Sequence, residues 1–273
     1  MLIDTGMPTT EAWDALTQSL AEIGVAPDKL RHIVLTHMHP DHCGLVLRLR
    51  ELSGAMVWLH AEDAALLDKL RSTTHYRDAI EAALREAGTP APLRSAVVQA
   101  HDRFVSVLPA MTPDRLLEDG LALESWAGPL EVIHTPGHSP GHCCLFAPEP
   151  RVLISSDHIL EDITPHVGWL PGEDMLGRYF QSLDRVAALD AARILPAHGF
   201  PFTGLAERAD QTRRAHQQRL IEIKEHLQDG ARTADDLVRR LWPRDLRPFE
   251  YLLALTTVVA CREHAARQLR ISQ

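Results

Sequence analysis

Apolar residues along this 273-residue chain recur in two patterns, as short runs and with a period of three to four residues. Short runs rich in β-branched and large aliphatic residues predict buried strands. The end of a strand, followed by a turn, is predicted at 1–6, and further strands at 32–36, 56–60, 121–124, 130–134, 143–146, 152–155 and 192–195. The sheets are therefore expected in the N-terminal part of the chain.

The period of three to four residues predicts helices between and after these strands. In the first helix, at 10–23, Trp13 and Leu20 fall on one face, and Thr9 or Thr10 is the candidate N-cap. Further helices are predicted at 45–52, 61–70, 75–87, about 93–108 and 206–228, with two helices joined by a proline-containing turn at 233–271. Strands that alternate with helices predict a layered α/β fold.

The predicted helices are unevenly distributed along the chain. Residues 61–117 show helical periods and no strand pattern, so we interpret them as a helical insertion that forms a lid or a substrate wall. Residues 206–273 are interpreted as a small helical C-terminal domain. The strands belong to the remaining part, 1–205.

Composition narrows the class of protein. A chain with 45% apolar residues can bury a large core, and a net charge of -9 disfavours binding to nucleic acid or to an anionic membrane. Four cysteines show no CxxC spacing, and neither a signal peptide nor an apolar run of membrane-spanning length is apparent. A cytoplasmic location is therefore the expectation.

The strongest chemical signal is the segment His37-Met-His-Pro-Asp-His42, which follows a predicted buried strand. Packing gives no reason for three imidazoles and a carboxylate to meet there, because such groups are costly to bury. On an irregular loop His37 and His39 project in one direction, while Asp41 and His42 reach a second point nearby. This spacing suits two metal ions side by side; a solvated histidine-rich loop is the alternative.

Three further candidate ligands lie at predicted strand ends. His138 follows a strand and a Pro-Gly turn, Asp157 ends an apolar run, and His198 follows Leu-Pro-Ala. Each is a weak signal alone, because a lone histidine after a strand is commonly a surface residue. Together they form the ordered series of strand-end ligands that a metal site on a sheet edge requires.

With these motifs in this order, the sequence resembles the metallo-β-lactamase superfamily, in particular its glyoxalase II-like and lactamase-β-like hydrolases. The resemblance covers residues 2 to about 205 and rests on five segments: Leu2-Ile-Asp-Thr-Gly6, Thr36-His-Met-His-Pro-Asp-His42, His134-Thr-Pro-Gly-His-Ser-Pro-Gly-His142, Ser155-Ser-Asp157 and Leu195-Pro-Ala-His-Gly199. It implies an αββα sandwich with the catalytic domain at 1–205. The tail is loosely similar to a winged-helix-like domain of some members, and the family's first sheet normally includes strands before Leu2.

The resemblance also implies a binuclear metal centre. The first ion would be held by His37, His39 and His138, the second by Asp41, His42 and His198, with Asp157 bridging them. Such ligands suit two divalent cations, zinc first, with iron or manganese as alternatives. A metal-bound hydroxide would attack an ester, thioester, lactone or amide carbonyl of a small molecule, while Asp41 orients it and passes its proton to the leaving group.

Five residues around this centre complete the expectation. Asp4 would steady a ligand loop from behind, and His142 would make a structural hydrogen bond. His158 and His166 would either face the substrate or lie on the surface. Ser156 stands where the family usually has glycine, a change that a negative φ would tolerate. The tyrosine that lactonases of the superfamily carry after the bridging aspartate is missing, which disfavours a homoserine-lactone hydrolase.

Three other interpretations remain open on the sequence. The same fold supports nucleases and RNA-processing enzymes, against which the net charge argues. It also supports mononuclear iron enzymes of the persulfide dioxygenase type, which use only the first set of ligands. The C-terminal segment is in addition a candidate for self-association, as in a homodimer.

Overall fold

A computed structural model describes residues 1–125 and 128–271. The strands are β1 (Leu2–Ile3), β2 (His32–Val34), β3 (Met56–His60), β4 (Arg115–Leu117), β5 (Ala122–Leu123), β6 (Leu130–His134), β7 (Cys143–Ala147), β8 (Val152–Ser156) and β9 (Arg193–Pro196). The helices are α1 (Thr10–Glu22), α2 (Pro40–Cys43), α3 (Val46–Ser53), α4 (Ala61–Ser72), α5 (His75–Glu86), α6 (Ala91–Ser106), α7 (Met175–Ala187), α8 (Leu205–Gln228), α9 (Ala234–Leu241) and α10 (Pro248–Ile271). Within the described residues, no helix combines the length and the apolar character needed to cross a membrane.

The first sheet has the order β1-β2-β3-β4, with every neighbouring pair parallel. Successive side chains of a strand point to opposite faces. Ile33 accordingly packs with Leu20 of α1 and Leu49 of α3, while Val34 packs with residues of the second sheet. Helices therefore cover one face of this sheet and the other sheet covers the opposite face.

The second sheet has the order β5-β6-β7-β8-β9, antiparallel except for the parallel pair β8 and β9. Val132 and Leu145 pack towards the first sheet, whereas Ile133 and Cys144 pack against helices. Two sheets face to face with helices on both outer sides form the predicted αββα sandwich, and this prediction is confirmed.

The structure corrects the sequence-based prediction at one strand. The segment 61–117 contains β4, a strand where only helices were expected, and β4 pairs in parallel with β3. Only Leu117 of its three residues is buried, so the apolar run is too short to predict a strand. Asp114 fixes the pairing, because its carboxylate accepts a hydrogen bond from the Val57 amide (2.8 Å).

The long helix α7 was not predicted. The Asp174 side chain caps its N-terminus by accepting from the Gly177 amide (2.9 Å). Its buried residues have helical spacing and face the second sheet: Met175, Leu176, Tyr179, Ser182, Leu183 and Val186. This apolar period is legible in the sequence and is the signal that would have located the helix.

The C-terminal helices share a core with the second sheet. Leu237 of α9 and Leu255 of α10 belong to the same buried apolar cluster as Phe146 of β7 and Leu183 of α7. Helix α10 also packs along α6 of the insertion. The division of the chain at residue 205 stays a prediction.

Candidate metal centre

The segment between β2 and α3 brings four polar side chains to the edge of the first sheet. β2 ends at Val34, two residues before the predicted end, and His37 and His39 follow after Leu35 and Thr36. The next residues are not an irregular loop, because Pro40 begins the short helix α2. This turn of helix carries Asp41 and His42, and it directs both side chains to one side.

Three imidazole rings converge at the first candidate ion site. His39 Nδ1 lies 3.0 Å from His37 Nε2 and 2.9 Å from His138 Nε2. His138 Nδ1 donates a hydrogen bond to the backbone carbonyl of His166 (2.7 Å). Its proton is therefore on Nδ1, and Nε2 points a lone pair at the other two rings.

The loop that carries His138 depends on a glycine. Gly137 has a φ of +143° and lies against α7. A Cβ at this position would be 2.4 Å from the Tyr179 Cβ, so no other residue fits without displacing the loop. The close approach of loop and helix places His138 over His37 and His39.

The second candidate ion site combines two carboxylates and two imidazoles: Asp41, His42, Asp157 and His198. His198 Nε2 lies 3.3 Å from Asp41 Oδ2 and 3.5 Å from Asp157 Oδ1. His42 Nε2 lies 3.6 Å from that Asp157 oxygen. The other oxygen of Asp157 is 3.3 Å from His138 Nε2, so this carboxylate reaches both sites.

Asp4 lies behind the second site and sets the orientation of one ligand. Its Oδ2 accepts a hydrogen bond from His42 Nδ1 (2.8 Å), and its two oxygens also accept from the Thr36 amide and hydroxyl (both 2.8 Å). A carboxylate on Nδ1 keeps a proton there and orients Nε2 towards Asp157. Asp4 thus contacts both His42 and Thr36, the residue before His37.

These donors fit divalent cations. Among the described residues, the buried atoms His42 Nε2 and Asp157 Oδ1 have no hydrogen-bond partner. A lone pair and a carboxylate oxygen that face each other repel unless a proton or a cation lies between them. Nitrogen and oxygen donors in groups of three and four match zinc or a similar borderline ion.

The charges at the two sites differ in the absence of metal. Burial and the neighbouring imidazoles hold the pKa of His37 well below its ordinary value, and burial also lowers the pKa of His138. At the second site burial opposes the charged form of His42, but the carboxylates of Asp157 and Asp4 raise its pKa to about 10. The carboxylates of Asp157 and Asp41 raise the pKa of His198 to about 10 as well.

We therefore expect zinc binding to release protons and to strengthen as pH rises. His42 and His198, with pKa values raised to about 10, are positively charged throughout the neutral range. A cation that binds their ring nitrogens has to displace the extra proton of each ring. Calorimetric titration of the metal-free protein at pH 7 in buffers of different ionisation enthalpy should show release of one to two protons. His75→Ala, on an exposed part of α5, should release the same number. Heats independent of the buffer would contradict this expectation.

A residue that the sequence did not single out connects the two ligand loops. Asp63 of α4 is fully buried, and its carboxylate accepts hydrogen bonds from the Met38 amide (2.9 Å), the Ser139 hydroxyl (2.8 Å) and the Gly141 amide (2.6 Å). Burial raises its pKa to about 6, so it is ionised at neutral pH. Asp63 fixes the loops that carry His39 and His138 relative to each other.

The other histidines near the centre have different positions. His142 Nδ1 shares a hydrogen bond with the Thr135 hydroxyl (2.8 Å), which is a structural role as expected. His158 is fully buried between the rings of His142 and Tyr179, so neither the surface nor the substrate interpretation was right for it. His166 lines the cavity beside the centre.

The condition under which serine would be readily tolerated at 156, a negative φ, is not met. Ser156 has a φ of +47°, the left-handed conformation that favours glycine. Its hydroxyl forms a 2.7 Å hydrogen bond with the Thr36 hydroxyl, which in turn contacts Asp4. The side chain therefore joins the hydrogen-bonded network behind His42, a contact that glycine could not make.

A third group of potential ligands is formed by His60, Glu62 and His134. Its two rings are stacked at 3.9 Å with an interplanar angle of 17°. Lone pairs in two parallel ring planes cannot meet at one ion, and Glu62 already accepts a hydrogen bond from Arg178 (2.6 Å). No sequence pattern indicated this cluster, and its geometry does not suit a metal.

Comparison with known proteins agrees with the fold. A sequence profile described as the metallo-beta-lactamase superfamily matches residues 1–198. A metallo-beta-lactamase family protein from Thermus thermophilus is 33% identical, and its crystal structure superimposes with a TM-score of 0.84 over 97% of this chain and 84% of that one.

Two curated relatives are enzymes by name. A probable metallo-hydrolase of Bacillus subtilis (strain 168) is 24% identical over 252 residues, 89% of this chain and 77% of that protein. An acyl-coenzyme A thioesterase of Gallus gallus is 30% identical over 172 residues, 60% of this chain and 55% of that protein. The fold, the candidate ligand groups and these relatives define a metal-dependent hydrolase. The chain belongs to the metallo-β-lactamase superfamily.

Proposed function

We propose that this protein holds two divalent cations, zinc in the first instance, and uses them to hydrolyse a carbonyl compound of low molecular mass. The first ion would be held by His37, His39 and His138, the second by Asp41, His42 and His198, with Asp157 as the common ligand. The observation that carries the proposal is the position of the Asp157 carboxylate between the two groups. Iron and manganese are alternatives that metal analysis distinguishes.

The side chains would have two functions: the ligand set holds the cations, and one carboxylate transfers a proton. Bound divalent cations polarise a carbonyl oxygen and lower the pKa of water to near neutrality. Asp41 is the more exposed of the two carboxylates, at 37% against 9% for Asp157, and it lines the adjacent cavity. Asp41 would therefore orient the attacking water, take its proton and give it to the leaving group.

The scissile group is proposed to be an ester, thioester, lactone or amide. The relative named as an acyl-coenzyme A thioesterase supports a carbonyl substrate, and within that set it supports an ester or a thioester. A phosphodiester of a nucleic acid is disfavoured by the net charge of -9, because a polyanion needs a basic surface.

The rival with a single iron ion is disfavoured by the second group of ligands. An enzyme that used only the three imidazoles would have no need for the unpartnered atoms of His42 and Asp157. In such an enzyme the hydrogen bond between Asp4 and His42, which aims His42 at the second site, would also have no function.

A substrate panel on zinc-loaded protein tests the proposal. We expect turnover of p-nitrophenyl esters or acyl thioesters, and loss of that turnover in His39→Ala because the first site loses one of three imidazoles. His32→Ala, outside both ligand groups, is the matched control and should retain activity. Cleavage of bis-p-nitrophenyl phosphate without turnover of any carbonyl substrate would contradict the proposed reaction.

A further inference from the structure

A partly enclosed cavity of about 290 Å³ adjoins the metal centre. Four of the proposed ligands line one end of it: His39, Asp41, His138 and Asp157. The opposite wall consists of helices of the insertion together with the C-terminal helix α10. The metal centre therefore opens into a chamber between these helices.

Most of the residues that line the cavity are apolar. The insertion contributes Leu70, Ile80 and Phe104, and α10 contributes Leu252 and Leu253. Within the described part of the chain, neither lysine nor arginine lines the cavity. The Tyr76 hydroxyl, a polar group in the wall, is already used, because it donates to the Trp169 carbonyl (2.7 Å). His101 also lines the cavity, and its Nε2 has no hydrogen-bond partner among the described residues. A charged group would lose its hydration in this wall without gaining an oppositely charged side chain.

Two aromatic contacts connect the apolar wall to the metal centre. The Phe104 ring meets the His39 ring edge to face at 6.0 Å. On its other side Phe104 stacks with Phe249 at the beginning of α10, at 5.7 Å and 24°. An apolar chain attached to a carbonyl at the centre would thus pass along Phe104 as it leaves the ions.

The polar part of the substrate would extend away from the cavity, on the exposed side of the second site. His198, on the far side of the second site, keeps 47% of its side chain exposed and does not line the cavity. A large polar carrier or leaving group can remain in solvent on this side, whereas the chamber is too small to hold it. The geometry separates the substrate into an enclosed apolar part and an exposed polar part.

We propose that the cavity binds the apolar acyl chain of the substrate, with the carbonyl at the metal centre and the polar leaving group outside. This inference rests on the proposed hydrolytic function and adds the substrate class, a medium-chain acyl ester or thioester. At about 30 Å³ for each water-sized group, the cavity accommodates on the order of ten non-hydrogen atoms. Leu253 and Thr256 of α10 and Phe104 of the insertion then determine chain length.

A series of p-nitrophenyl esters tests the assignment by rate. For wild-type protein loaded with zinc, kcat/KM should rise at least tenfold from acetyl to octanoyl or decanoyl and fall again at palmitoyl. Leu253→Trp fills the cavity and should lower kcat/KM for the octanoyl ester at least tenfold while changing the acetyl ester less than threefold. Thr256→Phe narrows the same chamber and should act alike if Leu253→Trp does not fold. Leu269→Trp, on an exposed position of the same helix, should leave the series unchanged.

Binding to the metal-free protein separates this inference from the hydrolytic proposal. 1-Octanol should bind the wild type, detected by calorimetry and by the fluorescence of Trp169 in the cavity wall, and should bind Leu253→Trp at least tenfold more weakly. Octanol binding without turnover of any ester would retain the apolar site and overturn the hydrolase. Ester turnover without a dependence on acyl length, or with a dependence on the length of the alcohol in acetate esters instead, would overturn the acyl assignment and retain the hydrolase.

Discussion

Replacing Asp157 by asparagine is expected to abolish hydrolysis and to lower the metal content from two ions towards one. The Asp157 carboxylate approaches imidazoles of both ligand sets, at 3.3 Å from His138 Nε2 and at 3.5 Å from His198 Nε2. An amide keeps the shape but removes the negative charge between the two ligand groups. Loss of several kcal/mol of charge stabilisation corresponds to a decrease of about 10³-fold in kcat/KM.

Metal analysis by mass spectrometry, together with ester hydrolysis, checks this result. Asp162→Asn is the matched control, because Asp162 is an exposed carboxylate in the same segment and lies outside both ligand groups. A variant at Asp157 that still held two ions and retained a tenth or more of the activity would exclude the bridging role.

The second large effect is expected from Asp63→Ala, at a residue outside the ligand groups. The substitution leaves the Met38 amide, the Ser139 hydroxyl and the Gly141 amide without an acceptor in a buried place. Three unsatisfied donors cost about 3 kcal/mol or more, which lowers the Tm by roughly 6–12 °C. Because the loops of His39 and His138 then lose their common anchor, zinc affinity should fall about 10–100-fold.

Thermal denaturation of the metal-free protein and a competition titration with a chromogenic chelator measure the two effects separately. Asp68→Ala changes an exposed aspartate on the same helix and should alter neither value. If Asp63→Ala lowered the Tm but bound zinc with normal affinity, Asp63 would support the fold and not the ligand loops.

The sequence predicted most of the regular structure, because both sheets are made of short apolar runs. Strands 56–60 and 130–134 were predicted with the bounds that the structure has. The prediction failed where local pattern carries little information. Strand β4 exists through its pairing with β3, and two of its three side chains are exposed.

The site was predictable to different degrees. The ligand candidates at 37–42 could be found from spacing alone, because neighbouring residues on a strand end must lie near one another. His138, Asp157 and His198 are about one hundred or more residues away from them, and only the order of motifs suggested that they belong together. The structure brings all seven side chains into two adjacent groups.

Two features could not be predicted because they depend on burial. Asp63 is in the first turn of a helix beside Glu62, where an acidic residue usually interacts with solvent and with the helix dipole. His158 follows Asp157 and suggested a substrate contact, but it is enclosed by Tyr179 and His142. Neither position is distinguishable in sequence from an exposed one.

The partial exposure of His198 has a consequence for how this protein should be purified. The rings of His37 and His138 are shielded from solvent, so the inner ion would be held in a place that chelators reach slowly, whereas the outer ion would have a ligand in contact with solvent. Brief treatment with a chelating buffer should therefore strip one ion and leave the other. A preparation handled in this way would show one metal per chain and would resemble a mononuclear enzyme, although the proposed centre holds a pair.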